Sequence, residues 1–179
     1  MLLYFAGPLF NQAEKEFNKK LARKIEVLGV EVFLPQRDGA EKNKPPFDKM
    51  SPDERRKAMF KLDRDKILSA DIFLFVLDGR VPDEGACAEL GIAYADKYLK
   101  NGKGLIVGLM TDARAAFTGA KLNPMLLGAL DIVVESEYEL IDCLKSYIFN
   151  INGNKSQEYP NGQKLPPKAD QPRAETPIS

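Results

Sequence analysis

Asp71-Ile72-Phe73-Leu74-Phe75-Val76-Leu77 runs into Asp78-Gly79-Arg80-Val81-Pro82-Asp83, and then into Glu84-Gly85-Ala86-Cys87-Ala88-Glu89-Leu90-Gly91-Ile92-Ala93-Tyr94-Ala95. The first piece is apolar at every position after Asp71. It reads as a strand buried on both faces. The second, with its Gly and Pro, reads as a loop. The third reads as a helix extending to about residue 99. A buried strand feeding a helix is the unit from which parallel sheets are built.

The same alternation continues in both directions. Upstream, Ser51-Pro52-Asp53-Glu54 is a capping box with Pro at the first helical position, so a helix should run from there to about residue 70. Residues 41–50 are polar, include Pro45-Pro46, and read as a loop. Residues 30–34 form a second strand, closed by Pro35-Gln36-Arg37-Asp38-Gly39. Residues 13–28 are helical, with Phe17, Leu21, Ile25 and Leu28 on one face and Gly29 as the stop. Residues 2–6 are the first strand, ended by Gly7-Pro8. Downstream come a fourth strand at 104–110, a long connection at 111–128, a short fifth strand at 132–134, and a last helix capped by Ser136 and reaching about residue 149. The expected fold is a flavodoxin-like doubly wound five-stranded parallel sheet with helices on both faces, one domain over residues 1–150. Residues 151–179 hold five of the chain's 12 prolines and few apolar residues, and read as a flexible tail.

Composition narrows the function. Lys+Arg and Asp+Glu are both 26, so no net basic charge attracts nucleic acid or anionic membrane. The apolar runs are strand-sized, too short for a membrane span. The first residues lack the basic region of a signal peptide. Two cysteines, Cys87 and Cys143, make neither a disulfide framework nor a zinc site, and a reducing cytoplasm fits. The chain has no histidine. Acid, base and nucleophile roles therefore fall to carboxylates, Tyr or Lys, and the expected ligand is a small molecule with no metal and no cofactor.

In open parallel sheets ligands sit beyond the carboxyl ends of the strands. That rim holds Gly7-Pro8, Gln36, the 78–83 loop and the start of the helix carrying Glu89. Glu89 is the one charged residue of its segment from Gly85 to Ala95. The helix dipole should keep it ionised, and small Gly85 and Ala86 leave room above it. An ionised, poorly hydrated carboxylate beside open space is a competent nucleophile or base, whereas an Arg or Lys partner would make it structural. Asp83 either caps this helix or serves the site. Asp63, in Leu62-Asp63-Arg64-Asp65, reads on its own as part of a solvated helix face. Tyr4 reads as core filling whose hydroxyl needs a partner. Gly7 to Asn11 is a weak phosphate-loop candidate, and Phe10 within it either stacks on a planar ring or packs in the core. Gln36 either reads a base edge or finishes a turn. Asn123, before Pro124, reads as a turn signal.

On these residues the sequence resembles the nucleoside 2-deoxyribosyltransferases. The shared pieces are Tyr4-Phe5-Ala6-Gly7-Pro8, Leu34-Pro35-Gln36-Arg37-Asp38-Gly39, Asp63, Asp83 through Tyr94-Ala95, and Leu122-Asn123-Pro124-Met125. The resemblance implies double displacement between nucleobases, with Glu89 the nucleophile and a covalent deoxyribosyl ester on it. It implies that Tyr4 orients Glu89, that Asp83 holds the deoxyribose, and that Asp63 lies near the base. With no histidine, proton donation to the leaving base falls to that Asp pair. Gln36 would contact the base, and Asn123 would be lent to a neighbouring subunit's sugar, so a homo-oligomer acting on deoxynucleosides and free nucleobases in nucleotide salvage is expected. Two other readings stand beside it. One is an N-glycoside hydrolase of 2'-deoxynucleoside 5'-monophosphates, which would need a Ser- and Arg-bearing loop that residues 7–11 lack. The other is a nucleotide-binding module without turnover.

Overall fold

The computed structural model describes residues 1–40, 43–101, 104–112 and 122–153. The tail beyond residue 153 and the middle of the 111–128 connection lie outside the described residues. Along the chain come β1 (Leu2–Ala6), α1 (Gln12–Glu26), β2 (Glu31–Phe33), the single helical turn α2 (Pro35–Asp38), a 3-10 turn (Phe47–Lys49), α3 (Pro52–Ser69), β3 (Ile72–Val76) and α4 (Glu84–Asp96). A π turn (Lys97–Asn101), β4 (Leu105–Leu109), α5 (Pro124–Ala129), β5 (Ile132–Val134) and α6 (Glu137–Ile151) follow. The strands are all parallel, in the order β2-β1-β3-β4-β5. This is the expected flavodoxin-like order.

The two-residue period of the strands sorts the core into two layers. Leu3, Phe5, Ile72, Leu74 and Val107 point to one face, where Leu21 and Ile25 of α1 and Leu140 and Leu144 of α6 cover them. Tyr4, Ala6, Phe73, Phe75 and Ile106 point to the other, against Ile67 of α3 and Ala86, Leu90 and Ala93 of α4. Each large apolar side chain so buried contributes roughly 1.5–3 kcal/mol. This explains why β3 is apolar throughout: both of its faces are covered.

The helix starts are set by side chains. Ser51 and Glu54 form the expected reciprocal box, and Asn11 and Glu14 form a second one that starts α1 at Gln12. Three expectations are corrected. Residues 35–39 form a helical turn rather than a plain strand end, because the N–H of Gly39 bonds the Pro35 carbonyl at 2.9 Å and Asp38 accepts from the Leu34 N–H at 2.9 Å. The 111–128 connection ends in α5, since Asn123 acts as a helix cap with Pro124 in the first turn. The outer residues of the second and fourth strands leave the ladder, so β2 and β4 are shorter than the apolar runs.

β1 is the strand at which the order reverses, so the crevice opens beyond the ends of β1 and β3. The chain leaves β1 through Gly7, at φ +151°; a Cβ there would lie 2.9 Å from Val76 Cβ and 3.2 Å from its carbonyl oxygen. Only glycine lets the two strand ends approach this closely. No helix among the described residues is long and apolar enough to cross a membrane.

Candidate active site

Glu89 is placed by α4. Asp83 caps that helix, its Oδ1 accepting from the Ala86 N–H at 2.8 Å, and this fixes the phase in which Glu89 emerges. Gly85, four residues earlier, lines the cleft above the carboxylate, whereas Ala86 turns into the core. So Gly85 alone provides the room expected of both residues. Tyr4 rises from β1 and donates its hydroxyl to Glu89 Oε1 at 2.7 Å. Its ring is fully buried between Phe33 and Phe73, with centroids 5.5 and 5.7 Å away and planes inclined by 22° and 5°. Tyr4 is therefore both core filling and a directed donor.

Among the described residues no Lys or Arg forms an ion pair with Glu89. Burial pushes its pKa up to about 7; the Tyr4 hydrogen bond opposes this, and the charges of Asp63 and Asp83 add to the rise. Burial opposes the pull toward the charged form expected from the helix dipole. Desolvation is the largest influence, and it places the carboxyl near neutrality. Burial, then the Glu89 charge, raises the Tyr4 hydroxyl far above the ordinary tyrosine range.

Asp63 departs from its solvated-face reading. It is half-buried, its Oδ1 has no hydrogen-bond partner among the described residues, and burial lifts its pKa to about 6. A buried oxygen without a partner is one that a ligand can satisfy.

Glu89, Asp63, Asp83, Gly7, Phe10 and Gln36 all line one cleft of about 630 Å³. Phe10 is 77% exposed, so it is not core packing and stands free at the mouth. Gln36 is less available than expected. Its Nε2 donates to the Lys15 carbonyl at 2.7 Å, and its Oε1 accepts from Asn18 Nδ2 at 3.1 Å. Asn18 also donates to the Pro8 carbonyl at 2.9 Å, tying the loop after β1 to α2. Asn18, 2% exposed, was not anticipated. The available signal was an asparagine in helical register with Leu21 and Ile25. Lys15, Arg55 and Met59 also line the cleft without having been singled out.

Asn123 is not brought to this cleft. It is exposed and caps α5, with Oδ1 accepting from the Met125 N–H at 2.9 Å. A second groove of about 500 Å³ adjoins the first through Phe10 and Asp83 and carries the carboxylates Glu14, Asp78, Asp83 and Glu84 against Arg80. No group of three or more acidic or cysteine side chains among the described residues is arranged to hold a metal ion. The arrangement offers a nucleophile-capable carboxyl, a donor that orients it, and a second carboxyl able to carry a proton near neutral pH.

Comparison with known proteins bears on this geometry. A family described as nucleoside 2-deoxyribosyltransferase matches residues 3–144. The fold is similar to a conserved protein from Enterococcus faecalis V583, with TM-score 0.65 and 29% identity over 82% of this chain and 98% of that one. It is similar to a 2-deoxyribosyltransferase from Bacillus psychrosaccharolyticus, with TM-score 0.63 and 25% identity over 79% of this chain and 91% of that one. A looser likeness, TM-score 0.49 at 22% identity, covers 82% of this chain and 99% of a CMP N-glycosidase from Clostridium botulinum. Among curated proteins no sequence matches.

Proposed function

The chain belongs to the nucleoside 2-deoxyribosyltransferase family, and from that premise we propose that it moves a 2-deoxyribosyl group between nucleobases by double displacement on Glu89. Glu89 attacks the anomeric carbon of a 2'-deoxynucleoside while the bond to the base nitrogen breaks. Asp63, in its protonated form, gives its proton to the departing base. The sugar is left as an ester on Glu89. An incoming base then attacks the same carbon, the ester bond breaks, and the proton of the incoming nitrogen returns to Asp63. Two inversions give net retention, as in retaining glycosidases. Tyr4 orients the carboxylate, Asp83 holds the sugar, and Asn123 reaches a neighbouring subunit's site.

The observation that carries this reading is the 2.7 Å bond from the buried Tyr4 hydroxyl to a cleft-lining carboxylate with no ion-pair partner among the described residues. A structural glutamate would have been paired with a cation. The acidic groove beside Asp83 supports unphosphorylated nucleosides over 5'-monophosphates, because a phosphate at that end would face four carboxylates and one arginine.

Three incubations test it: deoxyinosine with adenine, deoxyinosine alone, and a deoxynucleoside monophosphate alone. Deoxyadenosine in the first is expected. Free base released from the monophosphate alone would move the protein to the hydrolases. Product in none of them would leave a binding module.

A further inference from the structure

The cleft carries both signs of charge. Its lining combines the carboxylates Asp63, Asp83 and Glu89 with Gln36 and two cations, Lys15 of α1 and Arg55 at the start of α3. In the proposed reaction Glu89 marks the anomeric carbon, which leaves the two cations of the lining as candidates for the edge of the base.

What that lining offers is set by what the protein has already used. A glutamine amide reads adenine by donating to N7 and accepting from N6. The amide of Gln36 already holds one protein contact at each end, Nε2 to the Lys15 carbonyl and Oε1 from Asn18, which fixes its orientation. Arg55 is held by one edge only. Its Nε and Nη2 donate to the carbonyls of Phe47 and Met50, at 3.4 and 2.8 Å. The opposite edge, Nη1 with the second Nη2 proton, has no described partner. The neighbouring carboxylates are taken: Asp53 pairs with Arg56, and Glu54 bonds the Ser51 N–H. Arg55 lies in the first turn of α3, where the helix dipole disfavours a cation. It nevertheless carries no described ion pair, and neither does Lys15. Arg55 precedes Asp63 by two helical turns and a fraction, about 12 Å along the axis, a span that a purine and the Arg55 side chain fill together.

Arg and Lys donate and cannot accept. A 6-oxopurine presents two acceptors on one edge, O6 and N7, which fit a guanidinium edge bidentately; adenine places a donor where O6 would be. We propose that Lys15 and Arg55 form a donor-only end of the cleft that selects 6-oxopurines over adenine as the transferred base, an inference that rests on the transferase reading above.

The test is a competition in one tube. Wild-type protein, deoxyinosine and equal concentrations of guanine and adenine are combined, and the initial ratio of deoxyguanosine to deoxyadenosine reports the ratio of kcat/KM values. The expected ratio is about 10 or more in favour of guanine, and it should fall about tenfold in Arg55→Gln. Arg55→Gln also loses the contacts to Phe47 and Met50 and could disturb the loop they hold. Lys15→Gln, whose side chain makes no described hydrogen bond, is therefore run beside it, and a severalfold fall is expected there. A wild-type ratio near 1 or favouring adenine would overturn the proposal. So would a ratio that stays within about twofold of wild type in both variants. Neither product in the wild-type tube would instead sink the transferase reading itself, and this inference with it.

Discussion

Glu89 is held between two opposing demands: it must be ionised to attack, yet its surroundings favour the neutral form. Its pKa of about 7 and the value of about 6 at Asp63 put the two groups in reverse order for the proposed chemistry. The reactive form, with Glu89 charged and Asp63 protonated, is then a minority species, most abundant between those values. The expected kcat/KM profile is a bell centred near pH 6 to 7, its limbs belonging to the coupled pair. A profile still rising above pH 8 would contradict the acid role of Asp63. Tyr4 stabilises the charged carboxylate, so Tyr4→Phe raises the Glu89 pKa and, in this reversed pair, should move the alkaline limb to higher pH and lower the maximum, read from the same profiles. Stability follows the same sign. The folded pKa of Glu89 lies above its ordinary 4.5. The favourable contribution of the neutral carboxyl is therefore complete below about pH 4.5 and lost as pH rises through 7. Glu89→Gln, which stays neutral and can still accept from Tyr4, should be more stable than wild type above pH 7. Discounted for partial exposure, the gain is roughly 2 kcal/mol, visible as a higher Tm at pH 8 that vanishes near pH 4. The importance of Glu89 was legible in the sequence, as a lone charge in an apolar helix. Its protonation was not, because that depends first on burial and then on the charges of Asp63 and Asp83, which only the fold sets.

At the scale of elements, α4 gives one residue two functions. Asp83 caps the helix and also lines the cleft. Two substitutions separate these. Asp83→Ala removes both and should cost about 1 kcal/mol of stability as well as activity. Asp83→Asn keeps the cap, so its denaturation midpoint should stay near wild type while kcat/KM still falls. Equal activity in Asp83→Asn and wild type would leave the residue a cap and nothing more. Elements with a local signature were legible: the Ser51–Glu54 box, the Gly29 stop, and the apolar runs of β1 and β3. α5 was not, since Asn-Pro serves equally to open a turn or cap a helix, and only the continuation of the chain decides. The role of α3 was hidden for another reason. Ile67 is its one fully buried residue. With no apolar stripe to orient it on paper, the inward turn of Asp63 and Arg55 could not be seen. Asn18 shows the reverse: the helical face of α1 was readable, and the polar residue standing in it was overlooked.

For the whole molecule, the parallel sheet follows from chain alternation, five such units suggest the flavodoxin-like order that the fold has, and the position of the cleft follows from that order. Assembly is a separate matter. Asn123 lies outside the cleft of its own chain, on an exposed helix start beside Met125, which is 82% exposed, and Leu127. If Asn123 serves a neighbour, Glu89→Ala and Asn123→Ala proteins, each nearly inactive alone, should regain part of the transfer activity when mixed and allowed to exchange subunits. No recovery would confine the site to one chain. The central claim, a covalent deoxyribosyl ester on Glu89, is tested most directly by intact-mass spectrometry of protein quenched during turnover of deoxyinosine without acceptor. The account predicts a mass gain of one deoxyribosyl group, located on the peptide containing Glu89, discharged by added adenine and absent from Glu89→Ala. An active protein that never carries the adduct, or an adduct that persists in Glu89→Ala, would contradict it.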